Sequence, residues 1–128
     1  MAVKPSRIVI DTPIAENASA RFTGVLKDEG GSTIPAASLT TLTLTIYDQA
    51  TGAVINSRND VSILNANGGV VDGSGNLVMQ FDPADNAIQD ATKILEPHIW
   101  LFEWSWLSGA RAGRQEVLVK VLNMVKVP

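Results

Sequence analysis

The chain has 128 residues, of which 45% are hydrophobic and 18% charged, with a formal net charge of −3 and no cysteine. That length suits one domain, residues 1–128, whose core can form without staples by burying roughly two-thirds of the unfolded surface. The acidic balance excludes a general grip on nucleic acid, which needs a basic face, and the lack of cysteine excludes a disulfide framework and thiol chemistry.

The N-terminal stretch has no apolar segment of signal-peptide length. No run in the chain approaches the ~18 apolar residues of a membrane span, so no membrane partner is expected and synthesis is read as cytosolic. Ile8 and Ile10 alternate with Arg7, Val9 and Asp11, which predicts an N-terminal strand. Residues 1–11 are read as an edge strand or as an arm that pairs on a neighbour's edge.

Alternation then recurs down the chain. Phe22, Gly24 and Leu26 alternate with Arg21, Thr23, Val25 and Lys27. Leu42, Leu44 and Ile46 alternate with Thr41, Thr43, Thr45 and Tyr47, and Leu77, Met79 and Phe81 with Val78, Gln80 and Asp82. Successive side chains of a strand point to opposite faces, so each run predicts one buried and one wetter face. The connectors Asp28-Glu29-Gly30-Gly31-Ser32, Gln49-Ala50-Thr51-Gly52 and Asp72-Gly73-Ser74-Gly75-Asn76 carry turn chemistry. Asp82-Pro83-Ala84-Asp85 has the cap, first-turn proline and early acid of a short helical turn. Residues 59–67, stopping at Gly68-Gly69, are a second short helical candidate.

Two longer runs close the chain. His98 to Leu107 reads HIWLFEWSWL, and Gln115 to Val127 forms its return strand across a glycine-flanked loop, Ser108 to Gly113. All three tryptophans fall on the even positions Trp100, Trp104 and Trp106, with Phe102 between them. The odd positions Ile99, Leu101 and Leu107 are also apolar. One face must enter the core, and the other is too apolar for an ordinary wet face. The expected fold is all-β: an antiparallel β-sandwich of about seven to eight strands with one or two short helical turns, immunoglobulin-like or jelly-roll.

No motif carries chemistry. His98, the lone histidine, has no G-x-S-x-G elbow to serve and reads as a strand-end histidine. Asp72 to Asn76 alternates oxygen ligands, but Pro83 stands where a calcium loop needs its closing glutamate, so a tight turn is preferred. Glu103 lies mid-strand with no defined second carboxylate, and it is expected to pair with Arg111, Arg114 or Lys120 or to meet a partner subunit. The chain is therefore read as not an enzyme, with no cofactor and no metal. Its candidate interface residues are Ile8, Ile10, Ile99, Leu101, Glu103, Leu107, Leu118 and Leu122, since aromatic-rich, charge-poor surface suits subunit contacts. The tryptophan-rich hairpin also leaves a carbohydrate-binding or adhesin module open.

Three stretches carry a family likeness. They are Leu42-Thr43-Leu44-Thr45-Ile46-Tyr47-Asp48 with Ala50-Thr51-Gly52, the passage from Asp72 through Phe81-Asp82-Pro83-Ala84-Asp85-Asn86, and Leu101-Phe102-Glu103-Trp104-Ser105-Trp106 with its return strand. In style and layout residues 40–127 resemble small virion structural proteins of tailed bacteriophages. That resemblance implies a virion location and a role as a capsid cement or decoration protein, or else as a head–tail neck component. It implies a homo-oligomer whose partner is the major capsid protein or a neighbouring portal or neck protein.

Overall fold

The computed structural model describes residues 7–125. They form two sheets. Strands β1 (Arg7–Val9), β2 (Ile14–Ala15), β4 (Leu39–Asp48), β5 (Val61–Ser62), β8 (Leu95–Trp106) and β9 (Arg111–Leu122) make a six-stranded sheet in the order β1-β9-β8-β4-β5, with β2 also on β9. Strands β3 (Ala20–Val25), β6 (Gly69–Val71) and β7 (Asn76–Phe81) make a three-stranded sheet in the order β3-β7-β6. The architecture is the all-β sandwich that the alternation predicts. β3, β7 and β6 fall in the B, E and D positions of the immunoglobulin arrangement, and β9, β8, β4 and β5 in G, F, C and C′. That strand order separates the fold from a jelly roll. No helix among the described residues is long and apolar enough to cross a membrane.

The core lies where the inner-facing residues of both sheets meet. Leu42, Leu44 and Ile46 of β4 face Leu77, Met79 and Phe81 of β7 across the sandwich, with Val117 and Val119 of β9 beside them. Trp100 stacks on Phe81 with centroids 4.0 Å apart, and Phe22 stacks on Phe102 at 5.3 Å. Such ring pairs are worth about 0.5–1.5 kcal/mol each beyond their burial.

Several boundaries differ from the sequence reading. The proposed helix over residues 59–67 is absent. Val61 and Ser62 pair with Leu44 and Thr43 instead, and Asp60, Asn65 and Asn67 take positive φ, which stops a helix. The turn at Pro83–Asn86 is present as a 3-10 helix, with the Asp82 N–H donating to the Asp85 carboxylate at 2.8 Å. A further 3-10 turn spans Ala36–Ser38. β8 starts three residues before His98 and runs through Pro97, because β4 ends at Asp48 and leaves the proline nitrogen without a required partner. β9 starts at Arg111 and stops at Leu122, so the final hairpin closes on a tighter turn than the glycine spacing suggests. Residues 126–127 of the expected return strand and residues 1–6 of the expected arm lie outside the described residues. Arg7–Val9 pairs in parallel with β9 of its own chain and forms one edge of the large sheet.

Candidate interaction face

Register decides which way β8 points. Glu96, His98, Trp100, Phe102, Trp104 and Trp106 face the second sheet, and Leu95, Pro97, Ile99, Leu101, Glu103 and Ser105 face away from it. On that outer face the cross-strand partners line up in rows. One row reads Val9, Leu118, Ile99 and Tyr47 from β1 to β4. The next reads Arg7, Glu116, Leu101 and Thr45, and the one after it Arg114, Glu103 and Thr43. An apolar band thus crosses the sheet with charges on one side of it. Arg7 donates to Glu116 through Nε at 3.0 Å and Nη2 at 2.8 Å, and Arg114 Nε lies 3.4 Å from Glu103. Both pairs are partly exposed and worth at most about 1 kcal/mol each, so they serve register more than stability.

Tyr47 shows the character of the band. Burial pushes its phenol above the usual tyrosine range, the nearby Glu116 charge adds to the rise, and Arg7 and Arg114 oppose it. A phenol half-covered by apolar neighbours at the edge of an ion pair is the amphipathic kind of group that contact surfaces use.

The eight candidate residues separate. Leu101, Glu103 and Leu118 lie together on the outer face, half-buried. Leu122 is on the same face, at the far end of β9 opposite Leu95. Ile99 is also on it but only 1% exposed, covered by Tyr47, Leu118 and the other side chains around it. It supports the band and presents nothing to a partner, which corrects its assignment as a contact. Ile8 and Ile10 lie off that outer face: Ile8, paired with the core residue Val117, points to the inner side at the edge of the sheet, where it stays exposed, and Ile10 packs partly buried against the core. Leu107 lies off the strand, in the turn, at φ 53° and 64% exposed. The alternation reading placed it on the outer face because it took β8 one residue too far.

The tryptophans also separate. Trp100 and Trp106 are buried, and only Trp104 reaches the surface. Its indole lies over Gly113, its cross-strand partner, so closely that a Cβ there would sit 2.5 Å from the ring. Its Nε1–H donates to the Lys27 carbonyl at 3.3 Å. Shallow grooves flank it, one lined by Lys27, Glu29 and Gln115, the other by Thr41, Glu103 and Ser105.

Sequence reasoning missed the buried polar residues. His98 is not at a strand end but fully buried within β8, with Nε2 2.6 Å from Glu96. Glu96 also accepts the N–H groups of Gln89 at 2.8 Å and Asp90 at 2.7 Å, tying the loop before β8 to the strand. Asn123 donates to the carbonyls of Ala91 and Lys93 and holds the same loop from β9's end. Elsewhere Arg58 donates to Asp85 at 2.9 and 3.2 Å and to the Asn67 carbonyl at 2.9 Å. A Glu-x-His spacing across a proline was the one signal for the first pair. Both groups are structural in geometry: the carboxylates and the guanidinium are turned onto backbone and onto their partners, and of the His98 ring Nε2 is bonded to Glu96 while Nδ1 is buried without a hydrogen-bond partner among the described residues. The Asp72 carboxylate likewise caps its own turn, accepting from Ser74 and Asn76, and the side-chain hydrogen bond from Asn76 is the largest cause holding it below the usual aspartate range.

No protein-family model, no curated protein and no solved structure matches this chain.

Proposed function

We propose that the chain is a non-catalytic structural subunit of a tailed-phage virion, a capsid cement or decoration protein that docks through the outer face of its six-stranded sheet. The observation that carries this reading is the apolar band of Val9, Leu118 and Tyr47 with Leu101 beside it, set next to two ion pairs. A flat apolar centre with a charged margin is the anatomy of a protein–protein contact. Repeated over many copies of a homo-oligomer, modest contacts of this kind clamp a shell by avidity without chemistry. The partner in this reading is the major capsid protein, and a portal or neck protein is the variant for a head–tail location. The resemblance in layout to small virion proteins supplies the phage setting.

The test is incorporation into particles. Purified virions should contain the wild-type chain in many copies, and a Leu101→Glu variant should fold normally yet be missing from them. A copy number matching a single ring would move the assignment to the neck. Absence of the wild-type chain, or full incorporation of Leu101→Glu, would overturn the docking reading. A carbohydrate-binding reading now rests on Trp104 alone, since the other two rings are buried. Sugar binding on a glycan array that disappears with Trp104→Ala would favour it.

A further inference from the structure

The second sheet has an open edge. β3 pairs with β7 along its whole length and with no other described strand. Hydrogen bonds at both ends fix which of its groups are free. Gln80 donates to the Gly68 carbonyl and Asp72 donates to the Asn76 carbonyl, so residues 76 and 80 turn their backbone groups toward β6. Their partners in the β3 register are Val25 and Arg21. By alternation the N–H and C=O groups of Arg21, Thr23 and Val25 therefore point away from the sheet. At six residues, β3 is longer than the other edge strands, which run two or three. It has no proline, no bulge and no inward charge, three of the devices that protect an edge, and its one charged side chain, Arg21, points outward.

Behind this edge the two sheets part. A cavity of about 60 Å³ opens between them, lined by Ile8, Phe22, Leu26, Leu77, Phe102 and Trp104. It is sized for one aliphatic side chain. Through Lys27 the charge along the edge has one sign, and the acids Asp28 and Glu29 begin the turn beyond it, where Asp28 accepts from the N–H groups of Gly30 and Ser32 and Glu29 lies 3.9 Å from Arg111. Arg21 and Lys27 stand six residues apart on the exposed side of the strand, residues 20–27 contain no acid, and among the described residues neither cation has an ion-pair partner.

We infer that β3 is a capture edge for an extended, acidic segment of another protein, which adds as a further strand beside it. The free backbone groups call for a strand. The cavity calls for an aliphatic residue on that strand's inner side. Arg21 and Lys27 call for carboxylates near its two ends on the outer side, roughly 20 Å apart at strand rise. Charge weighs against the other occupants. A second copy of β3 brings cations against cations, and Met1–Ser6 of this chain carries Lys4 and no acid. This edge is separate from the outer face of the large sheet, so the inference stands or falls independently of the proposed function.

The experiment is a selection of displayed random peptides on the folded full-length protein, followed by NMR and affinity measurement of the enriched sequences. Enriched peptides should alternate acidic and aliphatic residues and shift the amide signals of Arg21, Thr23 and Val25. An Arg21→Glu/Lys27→Glu variant, both sites being exposed and free to change without touching the core, should lose about tenfold or more in affinity. Peptides methylated on alternate backbone nitrogens should bind on one phase of methylation and fail on the other. Three results overturn the inference: enriched peptides that bind the charge-reversed variant equally well, enrichment that leaves the β3 amides unmoved, or no enrichment at all. Strong protection of the Thr23 amide from hydrogen exchange in the free protein overturns it too, since the edge is then already occupied by this chain or a second copy.

Discussion

Removing the Asp85 carboxylate tests whether the buried Arg58 is held as described. Asp85 is fully buried and accepts from Asn56 at 2.8 Å, from Arg58 Nε at 2.9 Å and Nη2 at 3.2 Å, and from the Asp82 N–H at 2.8 Å. In Asp85→Ala the guanidinium keeps the Asn67 carbonyl and has only Asp82, 3.6 Å away and mostly exposed, as a counter-charge. Breaking a buried pair by deleting one partner costs about 3–5 kcal/mol, because a charge is left desolvated. For a domain of this size that lowers the melting temperature by roughly 12–20 °C, at roughly 4 °C per kcal/mol. The same physics makes a second variant informative. Arg58→Met/Asp85→Leu removes both charges, so it should be more stable than Asp85→Ala although it carries one more substitution. Urea unfolding followed by tryptophan fluorescence, with thermal melts by circular dichroism, measures all three proteins. An Asp85→Ala variant within about 1 kcal/mol of wild type would falsify the argument, as would a double variant no more stable than the single one.

Glu96→Gln should free the loop before β8: exchange protection at the amides of Gln89 and Asp90 falls while the amides of Trp100 and Phe102 keep theirs. Gly113→Ala should push the Trp104 indole off its partner and break its bond to Lys27, costing about 1–3 kcal/mol and shifting the emission of that residue to the red. Tyr47 predicts a loss of stability in alkali. Its phenol titrates higher in the folded protein than in the unfolded chain, so its contribution is complete below the unfolded value and is lost as pH rises through the folded one. Glu116→Gln should lower the phenol's titration point and Arg7→Ala should raise it, which ultraviolet difference titration reads directly.

The parts of the fold legible in the sequence were those governed by local periodicity. The alternations of β3, β4 and β7 and the two-sided pattern of β8 place those strands within a few residues, because alternation reports a face and a face reports burial. The strands left unseen are β2, β5 and β6, of two or three residues, too short to show a period. The helix expected over residues 59–67 arose from the same weakness, since asparagines that cap helices also accept the positive φ of consecutive turns. The buried polar pairs were illegible for a different reason. Arg58 and Asp85 are joined across 27 residues, and nothing in either neighbourhood marks a charge as internal. Gly75 is a milder case: its spacing announces a turn, but only the fold shows φ 81° with the Ile34 carbonyl 2.8 Å from any added Cβ.

The outer face carries the last test, because there the sequence and the fold assign different parts to adjacent apolar residues. Alternation treats Ile99 and Leu101 alike, as two apolar residues on the second face of one strand. In the sheet they differ. Ile99 sits between Tyr47 and Leu118 and is shut off from solvent by its own chain, while Leu101 sits between Thr45 and the ion-paired Glu116 and stays half-open. Truncating Ile99 to Ala opens a hole whose walls are the band itself, so the cost of about 2–4 kcal/mol should fall on folding. Truncating Leu101 to Ala exposes little that was covered, so folding should change by under about 1 kcal/mol and any cost should fall on docking. Chemical denaturation and particle incorporation, measured on both variants, separate the two terms. If Leu101→Ala unfolds as readily as Ile99→Ala, the band is a second small core and the docking face has to be sought elsewhere on the molecule.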